Sequence, residues 1–142
     1  MSAVIYNQGF NLIAQMMASQ SAPQTLKLLL WGGNFTPAVG DNPSGVGTNY
    51  TETLASFTGY TSVTLTPASW TFTGSTTITA SYAAQTFTST AGAQNVNVYG
   101  YAVKQTTSGL WLFAERFSNG PYNIVNLGDY VSVSLSLVFQ SP

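Results

Sequence analysis

Residues 130–139 read YVSVSLSLVF, and no other stretch of the chain alternates as cleanly. Val131, Val133, Leu135, Leu137 and Phe139 fall on one side of an extended backbone, with Ser132, Ser134 and Ser136 on the other, because successive strand residues point to opposite faces. This is a half-buried strand with a hydroxyl-covered outer face. It sets the fold class as all-β.

The rest of the chain can be read outward from that strand. Residues 95–117, NVNVYGYAVKQTTSGLWLFAERF, form a hairpin whose turn is Thr106-Thr107-Ser108-Gly109 between two apolar runs. Gly120-Pro121 punctuates after it, and residues 122–125 make a short bridge to Gly128. Upstream, residues 60–66 alternate and stop at Pro67. Trp70 and Phe72 belong to a brief strand closed by Gly74, and Ile78, Ala80 and Tyr82 share one face of the next. Ala83-Ala84 is expected as a bend or bulge before residues 86–90. In residues 25–31, TLKLLLW, both faces are apolar: Leu26, Leu28 and Leu30 against Lys27, Leu29 and Trp31. This strand is expected to be buried on both sides, with Lys27 near an end. About eight or nine short strands separated by turns predict an antiparallel, jelly-roll-like β-sandwich.

One segment departs from this period. Tyr6, Phe10, Ile13 and Met17 recur at helical spacing, which predicts a helix over residues 3–18 that Gly9 weakens by about 1 kcal/mol. Its apolar stripe packs either on the parent sandwich or against another subunit. The expected organisation is therefore a single domain, with a helical arm over 1–22 and the sandwich over 23–142. Residues 32–49, rich in Gly, Asn and Pro, form a long loop expected to act as a contact arm on a neighbour, with Phe35 and Asp41 in it.

Composition narrows the chemistry. The 142 residues include three basic and four acidic side chains, no His and no Cys, for a net charge of −1. A surface this neutral favours association over life as a lone monomer. Three cations do not make a nucleic-acid footprint, and no apolar run approaches membrane-spanning length. The N-terminus lacks a basic stretch ahead of an uninterrupted apolar one, so no signal peptide is expected. Nucleophilic triads need a His that is missing, zinc sites need His or Cys, and no phosphate-binding Gly-rich loop is present. A glycosidase needs two facing carboxylates, which leaves only Glu52 with Glu115, or Glu115 with Asp129. The reading is a non-enzymatic chain with no cofactor, metal or small-molecule substrate.

Glu115 and Arg116 are the charges to watch. As neighbours on a strand they point to opposite faces, each among apolar residues, so each needs a partner. Alternation puts Leu110, Leu112, Ala114 and Arg116 on one side, and Trp111, Phe113, Glu115 and Phe117 on the other. The expected partners are charges: Asp129 for Arg116 and Lys104 for Glu115, or residues of another subunit. The aromatic set adds interface anchors or sugar-stacking platforms to ordinary core. The candidate protein-interface residues are thus Tyr6, Phe10, Ile13, Met17, Phe35, Asp41, Glu115 and Arg116.

The succession of motifs resembles a known family. The N-terminal helix is followed by the Leu-rich strand, then by Gly59-Tyr60-Thr61, by Tyr99-Gly100-Tyr101-Ala102-Val103, by Trp111-Leu112-Phe113-Ala114-Glu115-Arg116-Phe117 and by the terminal alternating strand. Together they resemble small β-sandwich virion proteins of tailed bacteriophages, of the capsid cement or decoration type. That resemblance implies a protein assembled in the host cytoplasm that binds the outside of the head. It implies partnership with the major capsid protein and with itself, a trimer being favoured over a dimer. The alternative is a tail- or fibre-associated module that recognises host glycans through exposed aromatics.

Overall fold

The computed structural model describes residues 4–7, 9, 25–41, 55–75 and 77–140. Ten strands lie among them: β1 (Val4–Ile5), β2 (Leu26–Trp31), β3 (Val63–Leu65), β4 (Trp70–Thr73), β5 (Thr77–Thr88), β6 (Val96–Val98), β7 (Gly100–Gln105), β8 (Trp111–Arg116), β9 (Tyr122–Ile124) and β10 (Tyr130–Gln140). All pairings are antiparallel, and they build sheets in the orders β1-β8-β7-β2-β3, β10-β5-β4 and β6-β9.

The five-stranded and three-stranded sheets form two layers over one core. Leu28, Leu30, Val103 and Phe113 come from the first, Tyr82, Phe87, Val131, Val133 and Leu135 from the second, and Val98 and Ile124 from the small sheet. In β10 the alternation holds as expected: Val131, Val133 and Leu135 are buried, while Ser132, Ser134 and Ser136 face solvent. Covering a Leu or Val side chain of this kind contributes about 1.5–3 kcal/mol, so these few inward positions carry much of the layer packing.

Strand β2 is buried on both faces, as its composition predicts. Leu28 and Leu30 enter the main core. Leu29 and Trp31 join Tyr6, Ala102, Trp111 and Ala114 in a second cluster on the opposite side of the five-stranded sheet. The expected irregularity in β5 is also present. Gln85 pairs with Val133 and Tyr82 with Leu135, so Ala83 and Ala84 together oppose Ser134. The Gln85 side-chain amide turns back at this point and donates to the carbonyls of Ala83 (2.9 Å) and Ala84 (3.2 Å).

Four observations bear on the remaining expectations. First, Val4–Ile5 is not helical but pairs with Ala114 and Phe113 of β8, so these two residues add an edge strand to the sheet. Asn7 and Gly9 do have helical backbone, and the remainder of the helix expected over 3–18, with Phe10, Ile13 and Met17, lies outside the described residues. Second, Gly9 is buried where a Cβ would strike the carbonyl oxygen of Leu112, a close approach that favours glycine at this helical position despite its cost in helix propensity. Third, β8 does not alternate from end to end. Val103 faces Phe113 but Lys104 faces Trp111, which leaves Leu112 as an extra residue. Trp111 therefore turns to the second cluster with Ala114, and Leu112 joins Phe113 in the main core.

Fourth, the first part of the long loop is not an arm reaching away. Phe35 stacks on Trp31 with ring centroids 5.1 Å apart, and the Val39 carbonyl accepts the Asn7 N–H at 3.4 Å. The loop to Asp41 lies back on its own sheet, and residues 42–50 fall outside the described set.

Candidate functional site

Strand β8 carries Glu115 and Arg116 to opposite faces of the five-stranded sheet, as the two-residue period requires. Their partners are neutral groups of the same chain. The Tyr101 hydroxyl, directly across on β7, donates to Glu115 Oε2 at 2.6 Å. Burial, and then Glu115 itself, push the Tyr101 hydroxyl well above its ordinary pKa, so it stays a donor to the carboxylate throughout the physiological range. On the other face Arg116 donates to the Phe35 carbonyl at 2.6 Å and to Asn34 Oδ1 at 2.8 Å, with its guanidinium 5.0 Å from the centre of the Tyr99 ring. The expected pairing with Asp129 and Lys104 does not occur: Arg116 fastens the 34–35 backbone to the sheet, and Glu115 fastens β7 to β8.

The remaining carboxylates of the described residues are equally local. Asp41 Oδ2 accepts the Ala38 N–H at 2.8 Å. Asp129 Oδ2 accepts the backbone N–H groups of Val125 at 2.8 Å and Asn126 at 2.7 Å, closing the turn between β9 and β10. These bonds hold the Asp129 carboxyl below its usual pKa, the Asn126 bond contributing most. Because the folded pKa is depressed, the stabilisation is complete above the ordinary carboxylate range of about 4 and is lost as pH falls through the lowered value. The protection of the Val125 and Asn126 amides, measured against their intrinsic exchange at each pH, is therefore expected to fall on acidification below that range. In Asp129→Asn the same amides should exchange fast at neutral pH too. Equal protection in both proteins at neutral pH would refute the role of the carboxylate. Among the described residues, no three acidic side chains stand together as a metal-binding group.

The most distinctive surface lies at that same turn. It is tied to the preceding layer by Ser89, whose N–H donates to the Asp129 carbonyl at 2.8 Å and whose carbonyl accepts the Gly128 N–H at 3.0 Å. Gly128 has φ 89°, a left-handed conformation that glycine adopts without strain. On this rigid corner Leu127 is 70% exposed, Tyr130 65%, Tyr122 42% and Val125 39%. Tyr122 and Tyr130 line a cleft of about 360 Å³ with Phe117, Val131 and Ser132, and an adjoining one of about 300 Å³ with Asn123, Ile124, Gly128 and Asp129. Phe117 packs edge-on against Tyr122, ring centroids 5.0 Å apart, and tilts toward Tyr101 at 5.9 Å, which links the cleft wall to the Glu115 contact. Exposed aromatics of this kind on a fixed backbone bind with little loss of conformational freedom.

The structure thus gathers a different set from the one the sequence suggested. Tyr6 is wholly buried in the second cluster, with its N–H on the Leu112 carbonyl, so it serves the chain's own packing. Phe35 is half-buried on Trp31. Glu115 and Arg116 contact groups of their own chain on opposite faces of the sheet, Asp41 accepts the Ala38 N–H, and Phe10, Ile13 and Met17 are outside the described residues. The cleft residues Tyr122 and Tyr130 and the exposed Leu127 in the adjoining turn carry no motif. The usable signal was the density of large apolar residues in a turn already punctuated by Pro121 and Gly128. Comparison with known protein families, with curated proteins and with solved structures gives no match to this chain.

Proposed function

We propose that this protein is a non-enzymatic structural component of a bacteriophage virion. In this reading it is a jelly-roll-like decoration protein on the outside of the head, where it stabilises contacts between major capsid subunits and associates with further copies of itself. The family reading rests on the sequence resemblance described above. The observation that carries a docking role is the apolar corner of Tyr122, Val125, Leu127 and Tyr130, held out by a turn that Asp129 and Ser89 fix in place. A surface of hydroxyls and amides lets such a corner meet a partner with little desolvation of charge. Many copies bound side by side then raise the barrier to opening the shell.

The test is binding to phage heads stripped of this protein. Leu127→Ser combined with Tyr130→Ala should weaken co-sedimentation at least about tenfold while leaving the thermal midpoint near that of the parent, since both side chains are exposed. Undiminished binding would sink the role of the corner.

The second reading is a tail- or fibre-associated module that recognises glycans. It is favoured by one arrangement: Tyr122 and Tyr130 flank the clefts together with Asn123, Asp129 and Ser132, a combination of ring faces and planar polar groups that suits a sugar. Copy number separates the two readings. A decoration protein approaches the abundance of the major capsid protein in quantified virion bands, and a tail module is present at far fewer copies.

A further inference from the structure

The register of β2 against β7 places Lys27 directly opposite Lys104. On its other side Lys27 faces Thr64 of β3, and Lys104 faces Trp111 of β8, so Thr64, Lys27, Lys104 and Trp111 form one row across four strands. Alternation along β2 and β7 puts both lysines on the side of Leu29 and Ala102, the face opposite the main core. Both are half-buried, while Thr64 is exposed near the edge of the sheet.

Two of the chain's three cations are thus cross-strand neighbours. Like charges directly opposite one another destabilise a sheet, and a neutral surface elsewhere offers no reason to place them together. Among the described residues neither lysine meets a carboxylate: Glu115 takes the Tyr101 hydroxyl, Asp129 closes its own turn and Asp41 accepts from Ala38. Two half-buried lysines at directly opposed positions on one face offer donors that a single oxyanion can satisfy together, with Thr64 next in the row.

We infer that the Lys27–Lys104 pair is a receptor for a carboxylate presented by an acidic side chain of a partner protein. A nucleic acid fits poorly, since a phosphodiester chain needs a track of cations and Arg116 is committed to Phe35, Asn34 and Tyr99. The inference rests on the docking role proposed above and specifies the chemistry of the partner. It is tested without any particle, so its failure and the failure of that role are read in separate experiments.

The probe is a short glutamate peptide, added to the full-length protein in thermal unfolding at an ionic strength matched with sodium chloride. The parent should gain a few degrees in midpoint, and Lys27→Gln and Lys104→Gln should each lose that gain. In low-salt chloride without peptide, Lys104→Gln should melt no lower than the parent, because removing one ammonium relieves the repulsion. The inference is overturned by a peptide shift that persists in both variants, or by a drop in midpoint for Lys104→Gln in chloride. It is equally overturned if a thymidine oligonucleotide of the same charge stabilises more than the peptide. A last arm uses Glu52→Gln: an unchanged peptide shift supports an external carboxylate, whereas a larger shift would overturn the inference in favour of Glu52 as the occupant of the pair.

Discussion

Gly100→Ala is expected to lower the thermal midpoint by roughly 10 °C, and Gly100→Val to leave no cooperative transition. Gly100 is buried in β7 between Trp31 on β2 and Arg116 on β8. A Cβ there would run into the carbonyl oxygen of Glu115 and the six-membered ring of Trp31. Neither obstacle is the loose end of a side chain. The carbonyl belongs to the neighbouring strand, and the indole is wedged under Phe35 with no exposed surface. Overpacking at such a site costs about 3 kcal/mol for one methyl, and a domain of this size loses about 3 °C per kcal/mol. Circular dichroism melts measure it directly. Reducing Trp31 to Leu in the Gly100→Ala background should recover only part of the loss, because the Glu115 carbonyl still stands in the way. Full recovery would show that the backbone contact is not the obstacle.

The second large effect is Trp31→Ala, for which a loss of about 3–5 kcal/mol is expected. Trp31 is the largest fully buried side chain of the described residues and the floor of the cluster that covers the outer face of the five-stranded sheet. Its removal opens a cavity among Tyr6, Ala102, Trp111 and Ala114 that rigid strands cannot close. It also deprives Phe35 of its stacking partner, and with Phe35 the carbonyl that Arg116 holds. Denaturant titration should show a lower midpoint with an unchanged slope. A loss below about 1 kcal/mol would mean that this second cluster packs too loosely to stabilise the chain.

These positions show what the sequence could and could not convey. The burial of β10 and the two-sided burial of β2 follow from period-two patterns that a single strand contains in full. The bulge at Ala83–Ala84 was legible for the same reason, since two small residues interrupt an otherwise regular strand. What failed was information held between strands. The extra residue at Leu112 reverses the face of Trp111, and nothing in WLFAER announces it. The pairing of Val4–Ile5 with β8 depends on a partner strand far along the chain, which the local sequence does not contain. The charges of Glu115 and Arg116 were rightly expected to need partners. That those partners are a hydroxyl, a carbonyl, an amide and a ring depends on which neutral groups the register brings within reach. The exposed corner at Tyr122 and Tyr130 joins residues from β9, β10 and the end of β8, and the Lys27–Lys104 row joins strands far apart in the chain.

The turned-back amide of Gln85 has a meaning for life in a crowd. Strand β4 covers only the Thr79–Tyr82 part of β5, and among the described residues no strand pairs with the stretch after it on that side. There the strand kinks at Ala83–Ala84, and its carbonyls are already occupied by its own side chain. A stray strand from another molecule meets a bend with two of its carbonyls already accepting, which disfavours pairing along the layer. In a protein built with almost no charge to keep its copies apart, one glutamine and one extra residue blunt this margin against strand addition.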